Sequence, residues 1–244
     1  MKIAIIGYGA MGREIEKQAR ELGHFVTKVV DIDTEQQITT SKFDEDEVAI
    51  EFSTPKSVIS NLKSLIEKKV SVVCGTTGWY EDKDYVQKLV KANGVGFLHA
   101  TNFAIGTHIF WKGVAELARY INKFTDYDIF MNEIHHKNKL DSPSGTAITT
   151  AEILLDNIRR KRSLDTNKVD GRIRNDHIHL SSTRGGHVIG DHKVTFDGPH
   201  DSIEISHCGK SRASYAIGAI KSAEWVHRKK GFFSINNYIE DNIN

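Results

Sequence analysis

The sequence predicts an α/β protein with a Rossmann-like, doubly wound parallel sheet and a second α+β domain built on a mixed or antiparallel sheet. Short apolar strands alternate with amphipathic helices through the first hundred residues, which is typical of βαβ units. After residue 102 this alternation stops, and β-rich segments joined by turns rich in Gly follow. These two observations place a domain boundary near residue 102.

The first domain is predicted to contain five strands and three helices. The strands are predicted at residues 2–7, 25–31, 48–53, 70–75 and 95–100, and the helices at residues 12–23, 55–69 and 82–93. The second of these helices has apolar residues at helical spacing, namely Val58, Leu62, Leu65 and Ile66. Pro55 suits its first turn, because a residue there needs no backbone N–H.

The rest of the chain is predicted to contain three helices and four strands. The helices are predicted at residues 104–124, 147–160 and 214–230, and the strands at residues 127–134, 177–184, 187–197 and 202–208. The last three strands are joined by short turns, so they are expected to be antiparallel. The resulting domains cover residues 1–102, 103–212 and 213–244, and the last part is expected to pack on the first domain.

The composition excludes several classes of protein. The 244 residues include 33 Lys and Arg against 32 Asp and Glu, for a net charge of +1. A nucleic-acid or membrane-surface binder needs a broad basic excess, which is not present here. The chain starts on a strand without the features of a secretion signal, and Cys74 and Cys208 are expected to be reduced. We therefore expect a cytoplasmic protein.

A glycine-rich loop between the first strand and the first helix predicts a dinucleotide site. Gly7, Gly9 and Gly12 have the spacing that lets a backbone approach a pyrophosphate at a helix N-terminus. The strand before this loop and the helix after it supply the context that the motif requires. The loop residues expected to contact the cofactor are Gly7, Tyr8, Gly9, Ala10, Met11 and Gly12.

A carboxylate at the end of the second strand is expected to bind the ribose hydroxyls. Asp31 lies there, about 20 residues after the glycine loop, and Asp33 follows it. Asp33 is equally compatible with a simple strand end. Since neither Arg nor Lys follows Asp31 directly, NADH is expected to be preferred over NADPH. A dinucleotide fold is shared by dehydrogenases, epimerases and redox-sensing regulators, so it does not decide the chemistry.

The segment EIHHKNKLDSPSGTA, at 133–147, predicts a second anion site. His135 and His136 are adjacent imidazoles, the side chains that most often act as acids and bases, and Lys139 follows four residues after His135. Ser144, Gly145 and Thr146 begin a helix, whose free amides suit a carboxylate. Each residue alone would more often be an N-cap or a solvated loop residue. Their combination in one segment favours a functional site.

This segment resembles the signature of the 4-hydroxy-tetrahydrodipicolinate reductase family, also called the dihydrodipicolinate reductase family. The one departure is Ser142, where the family usually has Ala. The segments CGTTGW, ATNF, RGGHVIGDH and SHCGKSR are similar to other parts of the family, and Arg212 ends the last of them. The resemblance implies further cofactor contacts, at Gly75, Thr76, Thr77, Ala100, Thr101, Asn102 and Phe103. Thr54 replaces an Arg found in some members.

The resemblance also implies a reaction. A hydride from NADH or NADPH reduces ring C4 of a cyclic imine dicarboxylate, the 4-hydroxyl is lost as water, and the resulting enamine is protonated. His135 and Lys139 would be the acid–base pair in this reaction. The substrate carboxylates would be bound by His136, Ser144, Gly145 and Thr146. The family also implies a homotetramer and a role in lysine and diaminopimelate biosynthesis.

Two alternatives remain open from the sequence. One is a regulator that binds NAD(H) without turnover, and the other is a reductase of a different small dicarboxylate. A metal site is not expected, because no carboxylate or Cys is spaced suitably around His177 and His179. Cys74 is expected to be a small buried residue and not a nucleophile.

Overall fold

The computed structural model describes residues 1–31 and 37–243, which divide into two compact units. The first unit comprises Met1–Ile105 and Arg212–Asn244, and the second comprises Gly106–Ser211. The strands are β1 Lys2–Ile6, β2 Phe25–Val30, β3 Glu47–Glu51, β4 Ser71–Cys74, β5 Gly96–His99, β6 Asp128–His135, β7 Ser163–Asp165, β8 His177–Arg184, β9 Gly190–Asp197, β10 Ser202–Gly209 and β11 Gly231–Ser234. The α-helices are α1 Ala10–Glu21, α2 Val58–Glu67, α3 Lys83–Asn93, α4 Ile105–Ile121, α5 Gly145–Asn157, α6 Ala213–Val226 and α7 Ile235–Ile243.

The first unit is built on a parallel sheet of six strands in the order β11-β5-β4-β3-β1-β2. The inner strands are continuous apolar runs because both faces of the sheet are covered by helices. Apolar residues of α1, α6 and α7 form one core cluster with the sheet, and those of α2 and α3 form another. The predicted doubly wound fold is confirmed.

The strand order places a binding crevice at the end of β1. β1 lies between β2 and β3, so the chain leaves β1 in one direction for β2 and crosses back for β3. In open parallel sheets, ligands bind at the carboxyl ends of the strands where the order reverses in this way. The loop that starts at Gly7 occupies that position.

The second unit contains a mixed sheet in the order β10-β9-β6-β8-β7. Residues of the central strand β6 alternate between the two faces, so Ile129, Met131, Glu133 and His135 share the buried face. The first two belong to a core cluster with apolar residues of α4 and α5. The buried face of β6 therefore carries two ionisable residues, Glu133 and His135, at the carboxyl end of the strand.

Two predictions about individual elements were wrong. Pro55 does not lie in the first turn of α2, which begins at Val58. The Thr54 carbonyl accepts hydrogen bonds from the amides of both Ser57 and Val58, so a turn precedes the helix.

β8 was expected to be antiparallel to its neighbours, but it pairs in parallel with β6 and with β7. β6 is inserted between β8 and β9, so only β9 and β10 form the expected antiparallel hairpin.

Among the described residues, four short elements were not predicted, namely β7, β11, α7 and a 3-10 helix at Tyr80–Asp82. β11 pairs in parallel with β5 and adds the edge strand of the first sheet. Among the described residues, no helix combines the length and the apolar character that crossing a membrane requires.

Gly218 allows α6 to approach the backbone of the first unit closely. A Cβ at this position would overlap the carbonyl of Phe103. Gly218→Ala should lower the free energy of unfolding by about 2 kcal/mol or more, although Ala normally favours a helix by about 1 kcal/mol over Gly. Urea denaturation followed by circular dichroism measures this change. Lys221→Ala, at an exposed position of the same helix, is the control and should leave the midpoint nearly unchanged.

Candidate functional site

The glycine loop of the first unit has a backbone shape that a side chain would not tolerate. Gly7 has φ +89°, and a Cβ there would overlap the Phe52 carbonyl. A Cβ at Gly12 would overlap the carbonyl of Gly7. Gly9 caps α1 without a side-chain hydrogen bond, so no side chain occupies the amides that begin this helix. Such a loop fits a pyrophosphate.

A cavity of about 880 Å³ opens beside this loop. Gly7, Tyr8, Gly9 and Asp31 line it, and the predicted contacts Ala10, Met11 and Gly12 lie in the adjoining first turn of α1. The lining also includes polar residues between the end of β3 and the later turns of α2, namely Ser53, Thr54, Lys56, Ser57, Ser60, Asn61 and Ser64. Asp33 lies outside the described residues. The size of the cavity, and its mainly apolar surface with several polar groups, fit a nucleotide.

The other predicted cofactor residues lie after β4 and β5 and do not line this cavity. A Cβ at Gly75 would overlap the Phe52 ring, which in turn contacts Phe103 with ring centroids 5.7 Å apart. Thr76 is buried, and its hydroxyl has no hydrogen-bond partner among the described residues. Of the remaining residues, Ala100 is buried, Asn102 is half-buried, and Thr77 and Thr101 are exposed. The unpartnered hydroxyl and the required glycine both fit a ligand at this edge of the sheet.

In the second unit, the buried carboxylate of Glu133 joins three elements. Both of its oxygens lie 3.1 Å from the amide of Ser144, at the start of α5, and Oε1 accepts a 2.7 Å bond from Arg184 of β8. Burial alone would raise the pKa of Glu133, but hydrogen bonds from Ser144, Arg184 and Ser182 outweigh it and lower the pKa to about 2. Glu133 is therefore ionised throughout the neutral range.

His135 is held in one orientation beside this carboxylate. Its Nδ1 lies 2.8 Å from the carbonyl of Ile189, and its Nε2 lies 3.7 Å from Glu133 Oε2. A Cβ at Gly190 would lie 2.6 Å from the imidazole, so a glycine is needed there. Burial lowers the pKa of His135. The Ile189 bond and the Glu133 charge oppose this shift, whereas nearby Lys139 adds to it.

His192 completes the buried cluster and was not singled out from the sequence. Its Nε2 lies 3.0 Å from Ser144 Oγ and 3.4 Å from Nε2 of His135. Glu133, His135 and His192 carry metal-ligand atoms within 4.8 Å of one another. Since Arg184 and Ser144 already pair with Glu133, ion pairing and hydrogen bonding account for this cluster.

His177 has a carboxylate partner that its sequence neighbourhood does not show. Its Nδ1 lies 2.8 Å from Asp165 Oδ2, because β7 pairs with β8 and brings that side chain across from a distant part of the sequence.

The loop that follows β6 carries the predicted cationic residues. Lys139 Nζ lies 2.7 Å from Asp141 Oδ1, and the Lys139 amide donates to the carbonyl of His136. His136 is half-buried, and its amide donates to Val188. Arg184 also donates to the Asp141 carbonyl at 2.8 Å, so it anchors this loop as well as Glu133.

The predicted anion-binding turn forms the N-terminus of α5. Ser144 is the N-cap, and its Oγ accepts a 3.2 Å hydrogen bond from the Ala147 amide. A Cβ at Gly145 would meet no atom within 4 Å, so the space beside it is open. Thr146 follows in the first turn and is half-buried. Arg212 is not part of this turn; it is exposed at the start of α6 in the first unit.

Comparison with known families identifies the chain. Residues 1–103 match the family model described as dihydrodipicolinate reductase, N-terminus, and residues 106–239 match the model described as dihydrodipicolinate reductase, C-terminus. The chain belongs to the dihydrodipicolinate reductase family. The family predicted from the residues of the 133–147 segment is thereby confirmed.

Individual relatives of the dihydrodipicolinate reductase family match over nearly the whole chain. A 4-hydroxy-tetrahydrodipicolinate reductase of Christiangramia forsetii is 36% identical over 99% of this chain and 98% of the relative. A 4-hydroxy-tetrahydrodipicolinate reductase of Archaeoglobus fulgidus is 33% identical over 98% of this chain and 100% of the relative. A dipicolinate-bound dihydrodipicolinate reductase from Paenisporosarcina sp. TG-14 has the same fold, with a TM-score of 0.77, 24% identity and coverage of 97% and 98%.

The low pKa of Glu133 predicts a pH-dependent contribution to stability. A carboxylate with a folded-state pKa of about 2 and a usual value of 4.5 stabilises the fold above pH 4.5, and this contribution is lost as the pH falls through 2. Glu133→Gln should therefore lower the free energy of unfolding at pH 7 by about 2–3 kcal/mol. Denaturant titrations at several pH values measure the difference, which should narrow between pH 4.5 and 2.

Glu204→Gln is the matched control for this substitution. Glu204 is an exposed carboxylate of β10 paired with Lys193, so its replacement should change stability little at any pH. A Glu133→Gln variant that was as stable as the wild type at pH 7 would contradict the anchoring role of the carboxylate.

Proposed function

We propose that this protein is an NAD(P)H-dependent 4-hydroxy-tetrahydrodipicolinate reductase of lysine and diaminopimelate biosynthesis. The observation that supports this most directly is the arrangement around Glu133, whose carboxylate accepts from the start of α5 and lies beside the His135 ring, with Oε2 3.7 Å from Nε2. A proton donor and an anion-binding helix terminus then lie side by side. A small dicarboxylate that is reduced and protonated requires both.

The start of α5 would bind one substrate carboxylate. The first amides of a helix have no acceptor within the helix. Glu133 already accepts from the Ser144 amide, and Ser144 Oγ accepts from Ala147. The amides of Gly145 and Thr146 are therefore the groups that remain for a ligand, and the helix dipole favours a negative charge there. His136 and Lys139, on the loop after β6, would bind the second carboxylate.

His135 would deliver the proton together with Lys139. Loss of the 4-hydroxyl with a proton from the neighbouring ring carbon gives water and a double bond conjugated to the imine. A reduced nicotinamide held at the glycine loop would supply the hydride for C4 of this system. The enamine that results must gain a proton on carbon. Because burial lowers the pKa of His135, its ring is largely neutral at pH 7 without substrate. The two carboxylates of the substrate would stabilise the protonated ring of His135. Substrate binding itself would therefore favour uptake of the proton by His135.

Substitution of the proposed acid–base residues tests this mechanism. His135→Ala and Lys139→Ala should each lower kcat by about a hundredfold or more, the usual effect of losing a general acid. The KM for NADH should stay nearly the same, because neither residue belongs to the unit that carries the glycine loop. The assay follows NADH absorbance with the condensation product of pyruvate and aspartate semialdehyde as substrate.

Lys137→Ala is the control, since Lys137 is an exposed lysine of the same loop. It should keep wild-type turnover. Wild-type protein that binds NADH but turns over neither cofactor would favour a sensor over an enzyme. Wild-type kcat in both the His135 and the Lys139 variants would refute the assigned roles.

We further propose that NADH is preferred and that NADPH is also used. Asp31 suits free ribose hydroxyls and opposes a 2′-phosphate, while Thr54 supplies no charge. Lys56, however, lines the same cavity as Asp31. Lys56 lies 25 residues after Asp31 in the sequence. The prediction considered only the residues directly after Asp31 and therefore missed it. Its ammonium group is a suitable partner for a 2′-phosphate.

Lys56→Ala should therefore change cofactor preference. The kcat/KM for NADPH should fall by about fivefold, the upper end of the effect of losing one exposed charge pair, while that for NADH stays within about twofold. Lys63→Ala is the control, because Lys63 is an exposed lysine of α2 that does not line the cavity. Equal losses with both cofactors would contradict a contact between Lys56 and a 2′-phosphate.

A further inference from the structure

The hydrogen positions in the buried cluster of the second unit can be assigned from its partners. A carbonyl only accepts hydrogen bonds, so the 2.8 Å contact with Ile189 places a hydrogen on Nδ1 of His135. The neutral ring then has its lone pair on Nε2. His192 Nε2 lies 3.4 Å from this nitrogen, and Glu133 Oε2 lies 3.7 Å from it.

The hydrogen of the neutral His192 ring must lie on Nε2. Its Nδ1 is buried and has no partner among the described residues. A buried N–H without an acceptor is rarer and costs more than an unused lone pair. The Nε2–H is then directed at Ser144 Oγ, 3.0 Å away, and lies close to the His135 lone pair.

This assignment satisfies every group on Ser144. Its hydroxyl oxygen accepts from the Ala147 amide and from His192, and its hydrogen is donated to Glu133. The backbone amide of Ser144 donates to the same carboxylate. One continuous network therefore runs from the start of α5 through His192 to the ring of His135.

We propose that His192 is a positioning residue that fixes the ring of His135 against the start of α5 and promotes release of its proton. The proposal rests on the function proposed above for His135. When His135 is neutral, the His192 N–H faces a lone pair, which is favourable. When His135 takes a second proton, two N–H groups face each other at 3.4 Å. His192 therefore makes the charged His135 a stronger acid toward the substrate.

The charges around the pair support this direction. His192 stays neutral because burial, with a contribution from His135, lowers its pKa to about 4. The charge of Glu133, on β6, raises the pKa of both rings and so opposes the effect of burial. His207, on β10, and Lys139 lower the pKa of His192, as burial does. Lys139 and Arg184 act in that direction on His135. Glu133 also lies beside both His135 and the start of α5, but its nearest oxygen is 3.7 Å from His135 Nε2, whereas His192 Nε2 lies 3.4 Å from that atom and 3.0 Å from Ser144 Oγ.

Two substitutions at position 192 separate positioning from simple packing. His192→Leu fills the space but has no N–H, whereas the amide of His192→Gln can still donate to Ser144. We expect His192→Leu to lower kcat about tenfold, less than the loss of the acid itself, with an unchanged KM for NADH. His192→Gln should recover most of this loss. His200→Gln, at an exposed position in the turn after β9, is the control and should behave as wild type.

The pKa of His135 distinguishes the two roles of His192. It should change if His192 acts on the proton of His135, and it should stay the same if His192 only packs against the ring. Nuclear magnetic resonance of labelled histidines should show the pKa of His135 raised by roughly half a unit or more in His192→Leu, and the kcat profile should move in the same direction. An unchanged His135 pKa in both variants would overturn the proposal. Equal losses of kcat in the Leu and Gln variants with an unchanged pH profile would also overturn it.

The test still decides the role of His192 if the wild type is inactive or if His192→Leu does not fold. If the wild type shows no reductase activity, the titration of His135 still decides the proposal, and the proposed function fails separately. If His192→Leu does not fold, Ser144→Ala replaces it. Removing the hydroxyl that accepts from His192 should then shift the His135 titration, and an unchanged titration would contradict the network.

Discussion

The second unit depends on one buried ion, the carboxylate of Glu133. An unpaired charge in this position would be costly, so its oxygens require partners from the surrounding elements. The Ser144 amide fixes the start of α5 and Arg184 fixes the end of β8, while β6 carries the carboxylate itself. The same charge opposes the lowering of the pKa of His135 and His192 that burial causes. The residue that organises the packing thus also acts on the histidine that we propose as the acid.

Most of the first unit follows from local patterns in the sequence. Its strands are apolar runs, its helices have apolar stripes, and the glycine loop separates the two where the fold requires it. The second sheet was harder to predict, because pairing between distant strands leaves no local signal. β8 and β9 are joined by a short Gly-rich turn, which favours a hairpin, yet β6 lies between them. β7 and β11 have three and four residues, which is too short for a clear period.

The candidate site shows the same limit. His135, Lys139 and Ser144 lie close together in one segment, so the sequence predicted them as site residues, whereas the anchoring role of Glu133 in the same segment was not predicted. His192 is far from this segment in the chain and reaches it only because β9 pairs with β6. Register, which depends on the whole sheet, decides that Glu133 and His192 lie opposite each other.

The position of β11 has a consequence for how the protein is made. Residues 1–105 emerge from the ribosome first, but β5 gains its outer neighbour only when residues 231–234 have been synthesised. α6, which covers one face of the same sheet, also arrives after the entire second unit. The nascent chain therefore carries an open strand edge and an apolar face for more than a hundred residues of translation. Exposed edges and faces of this kind are sites of aggregation and chaperone binding. A premature stop after residue 211 would make that transient state permanent.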